Sequence, residues 1–160
     1  MTFHRCFVLL SAMAVAAGLM TAQPPKKADS PDLKEIREYR LNLDVVQRFA
    51  QSFKTINADG AAKKCFENDA PGNAPSLDAG EKLIMACPPA VADLKKAGLK
   101  PREFLIVTAS LLGGFMAVGM KKSGTIKEYP DSISPENAAF IEQNYDKLQK
   151  VLAPVMADDK

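Results

Sequence analysis

A stretch of 17 residues without a single charge, Phe104 to Met120, constrains this chain more than any other feature. Pro101 falls where the first turn of a helix accepts it, Arg102-Glu103 lead in, and Lys121, Lys122 and Gly124 follow as a helix end would have them. A helix that is apolar all round has to be covered by other helices. A membrane-spanning reading is available at the lower length limit, but Thr108, Ser110, Gly113, Gly114 and Gly119 dilute the run. The expectation is a central core helix.

The rest of the chain supplies partners of helical period. Val46, Phe49, Phe53 and Ile56 recur at spacings of 3, 4 and 3, predicting a helix over about 44–56 with Asp44 as its N-cap. Ala138, Ile141, Tyr145, Leu148, Leu152 and Val155 repeat the pattern over 18 residues behind Ser134-Pro135-Glu136, which reads as N-cap, N1 and N2 of a last helix. Shorter helices are expected at 32–40, 57–68, 81–87 and from Pro89 to a stop at Gly98. Asn68 to Gly80 carries two prolines and two glycines among Asn and Asp, and reads as a surface loop. No segment alternates apolar and polar residues over strand length, and there is no internal repeat. The expected fold is all-α: an up-and-down bundle of about four main helices, one or two short extra helices and one disulfide.

The amino terminus reads as a secretory signal over residues 1–22. His4 and Arg5 precede an apolar or small run of 14 residues from Phe7 to Met20, and Ala22 offers a cleavage position. That run is shorter than a spanning helix requires, and no cysteine follows it for lipidation, so export without a stable membrane anchor is expected. Residues 23–31, rich in Pro, Lys, Ala and Asp, read as a flexible leader, and 32–157 as the bundle domain. The expected destination is the periplasm or the exterior.

Removal of the signal takes Arg5 from the 21 basic residues, leaving 20 against 19 acidic ones. Lysines stand in isolated pairs and not in a basic stripe, which argues against nucleic acid as a partner. Cys6 leaves with the signal as well. The remaining pair, Cys65 and Cys87, is predicted to form a disulfide, closing a loop that stabilises the fold by about 3 kcal/mol in the chain-entropy account.

His4 is the only histidine, so the mature chain lacks the usual general base near neutral pH and the commonest transition-metal ligand. Histidine-dependent hydrolysis, c-type haem attachment and the zinc-protease motif are excluded, and no catalytic residue, metal ligand or cofactor is assigned. Carboxylates remain as possible acid and base, but Glu103 and Glu136 fall in first helical turns, where the helix dipole accounts for them. Tyr39, Tyr129 and Tyr145 have no spacing that suggests haem, nor the methionines one that suggests copper.

Within the uncharged helix, Ala109, Gly113 and Ala117 recur every four residues, a pattern suited to close approach of a neighbouring helix. The sharper reading is an apolar ligand site lined by Phe104, Thr108, Leu112, Phe115 and Met116, with the hydroxyls of Thr108 and Ser110 as polar handles. The function expected is a non-catalytic exported binding or interaction module, with an apolar small molecule or a protein as partner. A structural envelope protein and a carboxylate-based enzyme are the alternatives.

Gly98-Leu99, Pro101-Arg102-Glu103-Phe104 and, later, Ser134-Pro135 with Asn137 also resemble an uncharacterised group of small, secreted bacterial helical proteins. The resemblance covers about a third of the chain. It implies a helical fold and export, and it carries no activity, ligand or catalytic residue.

Overall fold

The computed structural model describes residues 30–67 and 70–156, and among these it is all-α. The expected signal segment and most of the leader lie outside the described residues. The helices are α1 (Pro31–Glu38), α2 (Leu43–Ala58), α3 (Gly60–Cys65), α4 (Leu77–Met85), α5 (Pro88–Lys96), α6 (Pro101–Lys122) and α7 (Pro135–Met156), with a 3-10 turn at Pro71–Asn73.

Local chemistry accounts for most boundaries. Ser30, Ser76 and Ser134 each accept a backbone N–H from three residues ahead, starting α1, α4 and α7. Asp59 accepts from Ala61 and Ala62 and so separates α2 from α3. Two expectations are corrected. The N-cap of α2 is Asn42, whose side chain accepts from Val45, while Asp44 sits in the first turn and pairs with Arg48 at 3.0 Å. The region read as surface loop already contains the start of α4, because Ser76 and Asp78 supply a cap and a first-turn acid.

Gly98 and Gly124 end α5 and α6 with φ of +72° and +76°. In each case the following amide reaches back to a carbonyl five residues earlier, Leu99 to Leu94 and Thr125 to Met120, at 2.9 and 2.8 Å. Leu99 is then buried beneath the turn, and Pro101 restarts the chain as α6.

The middle of the fold is α6, which packs against α1, α2, α4, α5, α7 and the 3-10 turn. Its length and apolarity would suffice to cross a bilayer, yet half of its most apolar stretch is buried inside the protein. The core joins Leu105, Val107, Leu111 and Val118 of α6 to Val46 and Phe49 of α2, Leu94 of α5, and Ile141, Leu148 and Leu152 of α7. The expected face of α7 is therefore the one that packs, with Tyr145 and Val155 at its half-buried margins.

Complete enclosure of α6 does not occur. Ala109, Gly113, Met116 and Met120 form an exposed line along it, with Met116 67% exposed. The close approach falls one residue later than the expected stripe. A Cβ on Gly114 would lie 2.4 Å from Ile141 Cδ1, whereas one on Gly113 would meet nothing within 4 Å.

Cys65 and Cys87 are joined by a disulfide across Cα atoms 5.9 Å apart, stapling the end of α3 to the start of α5. Cys87 is buried and Cys65 exposed, so the bond ties a surface helix to the core.

Candidate functional site

Beside this staple lies an apolar cleft of about 300 Å³, which is the candidate site. Phe53 and Ile56 enter from α2, Ile84 from α4, Ala90 and Leu94 from α5, and Phe104, Leu105 and Thr108 from α6; Phe66 and Ala70 to Gly72 close the rim. The volume stands at the lower end of the roughly 300–1,000 Å³ found for small-molecule sites.

The wall is built by aromatic packing. Phe49, fully buried, places its ring 6.1 Å from Phe53 and 5.3 Å from Phe104, so the two half-buried rings at the cleft rest on a fixed third one. The other face is held by the disulfide: Cys65 precedes Phe66, and Cys87 lies between Ile84 and Ala90. The polar side chains of the lining are Asn57 and Thr108. Thr108 donates its hydroxyl to the Phe104 carbonyl at 2.7 Å, one turn back on α6. No ionisable side chain lines this cleft among the described residues.

Of the five residues expected to line one apolar site, the structure brings Phe104 and Thr108 together here. The other three lie elsewhere on α6. Phe115 is buried against α7, its ring stacked 4.6 Å from Tyr145 at an interplanar angle of 4°. Leu112 is half-buried outside the cleft, and Met116 points to solvent. Ser110 donates to the Ile36 carbonyl at 3.1 Å and serves to hold α1. Sequence reasoning missed Phe53, Ile56, Phe66, Ile84, Leu94 and Leu105, whose apolar spacing announced only burial. Nothing in a linear pattern marks which members of a core face border an unfilled space.

The residues that carried the resemblance have structural duties. Arg102 donates to both oxygens of Glu35 at 2.8 and 2.6 Å, and to Asp78 at 2.6 Å and Glu81 at 3.3 Å, binding α1 and α4 to the start of α6. These contacts hold the Glu35 carboxyl below the usual carboxylate range, burial opposing the shift, and push Arg102 further up. Glu103 accepts the Tyr39 hydroxyl at 2.9 Å; burial first, and this acceptor second, raise the Tyr39 pKa. Asn137 accepts from the Leu41 amide at 3.0 Å and donates to the Tyr39 carbonyl at 2.9 Å, pinning the α1–α2 connection to α7. Glu136 pairs with exposed Arg40 at 3.4 Å.

The tyrosines are likewise engaged: Tyr129 donates to Glu142, beside Lys121, and Tyr145 stacks on Phe115. No group of three or more His, Cys, Asp or Glu among the described residues is arranged to hold a metal ion. Asp93 of α5 is buried, with one oxygen 2.8 Å from Lys96 and the other without a protein partner among the described residues. An apolar cleft on an all-α, disulfide-stapled bundle thus defines the class. Comparison of the chain with protein-family models, with curated proteins and with solved structures gave no match.

Proposed function

We propose that this chain is an exported, non-catalytic binding protein that takes a small apolar molecule into the cleft between α2, α5 and α6. One observation carries the reading: a space of about 300 Å³ walled by Phe53, Phe66, Phe104 and six aliphatic or alanine side chains, with no ionisable group in it among the described residues. Transfer of an apolar surface from water into such a wall is favourable at roughly 25 cal/mol per Å². A preformed wall keeps the ordering cost of binding low. Export is supported by the basic start and apolar run of residues 1–22, and the disulfide is compatible with an oxidising compartment. The product expected on export begins at Gln23, which N-terminal sequencing of the protein recovered outside the cytoplasm would reveal.

Titration of the protein with an N-phenylnaphthylamine probe tests the binding reading. The wild type should enhance the probe's fluorescence saturably. Thr108→Trp, which fills the cleft from a half-exposed position, should abolish the saturable part while the melting temperature moves little. Equal saturable binding by both proteins would sink the assignment.

A further inference from the structure

The apolar cleft does not stand alone. Pro71, Gly72, Leu105 and Thr108 also line a second hollow of about 300 Å³, so the two spaces abut on either side of the Pro71-Gly72 strap. The strap is tightly seated: a Cβ on Gly80 of α4 would lie 2.8 Å from the Pro71 carbonyl oxygen. The second hollow has a different chemistry. Ser30, Asp32 and Ser76 join Leu33, Ile36 and Leu77 around it, and among the described residues Asp32 is the only ionisable side chain in the lining of either space.

Asp32 is half-buried and held in place, because one of its oxygens accepts the Leu77 amide at 3.0 Å. Neighbouring carboxylates do not compete for a ligand's charge, since Glu35, Asp78 and Glu81 are gathered on Arg102. Among the described residues, no lysine or arginine lines either hollow to receive an anionic head.

Resting on the apolar-ligand reading, we infer that the ligand is a single-chain amphiphile bearing a protonated amine, its chain in the cleft of Phe53 and Phe104 and its head beyond the strap at Asp32. A carboxylate head would meet a fixed negative charge with no compensating cation, so fatty acids are rejected. A hydroxyl head can donate to Asp32, and donate to or accept from Ser30 and Ser76, without the charge attraction, and ranks between them.

The test is competition of decylamine, decanol and decanoate against the N-phenylnaphthylamine probe at neutral pH, with the full-length protein and Asp32→Asn. The asparagine keeps an oxygen to accept the Leu77 amide, and matched melting temperatures would show that the fold is retained. Decylamine should bind about tenfold more tightly than decanoate, the order expected when an attractive contact with a partly solvated carboxylate replaces a repulsive one. In Asp32→Asn the amine should fall to the level of the alcohol, each competitor being measured against that variant's own probe titration. Decanoate binding as well as decylamine, or amine affinity indifferent to Asp32→Asn, would overturn the inference while leaving the cleft assignment intact. If the probe itself does not bind saturably, both readings fall.

Discussion

The two sides of α6 are made of similar apolar residues and end in different states. Toward α7 the interface is solid: Phe115 stacks on Tyr145, Gly114 admits Ile141 against the backbone, and Lys122 lies 4.1 Å over the Tyr145 ring. Toward α2 and α5, Phe104, Leu105 and Thr108 border open space. The difference comes from the partners. α7 is one long helix of regular apolar period, able to follow α6 closely, whereas the opposite side is assembled from short helices and a strap whose ends cannot all fill the same volume. On one side the side chains close a packed interface, and on the other they border an open cleft.

That contrast breaks most visibly with Phe115→Ala, which should cost about 3–5 kcal/mol in denaturant unfolding yet leave saturable probe binding unchanged in the folded protein. A loss of binding with retained fold would show that the two sides are not separable. Next in size is the staple. Cys65→Ser with Cys87→Ser should lower stability by about 3 kcal/mol, and because Phe66, Ile84 and Ala90 flank the bond, it should also weaken probe binding. Unchanged affinity would mean that the cleft wall holds without the bond.

The adjacent glycines sharpen the comparison within a single turn. Gly114→Leu should cost about 1–3 kcal/mol by overpacking against Ile141, whereas Gly113→Ala, which meets open space, should gain about 0.4–1 kcal/mol through the unfolded chain. Thermal unfolding of both variants reads the opposite signs directly. Equal effects would place Gly113 in an interface of its own.

The smallest effect concerns the acidic side of the Arg102 network. Glu35 has its folded pKa depressed below 4.5, chiefly by its hydrogen bonds to Arg102, so its contribution is present above that value and lost as pH falls through the folded pKa. Both partners are partly exposed, and water screens the pair. Calorimetric melting should therefore fall modestly below about pH 4.5, and Glu35→Gln should flatten that part of the profile. An unaltered slope in the variant would assign the acid sensitivity to other carboxylates.

How much of this was legible in the chain follows from where each determinant acts. Helix ends written in neighbouring residues could be read: Pro135 behind Ser134, Gly98 and Gly124 as stops, and the Cys65–Cys87 pair. The 3, 4, 3 spacing of α7 named the face that is buried. Asn42 was missed because Asp44, two residues on, is an equally good capping type, and only the turn of the chain decides which one points at the free amides. Asn137 gives no local signal of its role, since its two partners lie 96 and 98 residues away.

α6 marks the boundary between the two kinds of information. Its lack of charge alone determined that a helix would occupy the middle of an all-α fold, because so long an apolar run loses too much by facing water on every side. The same lack of charge removes any polar face that would set its rotation. Which residues meet α7, which face solvent and which border a cleft was decided by the shapes of the helices packed around it, through contacts of sub-ångström tolerance such as Gly114 with Ile141. The candidate site is that shape mismatch, and it exists only once α2, α4, α5 and the Pro71-Gly72 strap have closed around Phe104 and Thr108.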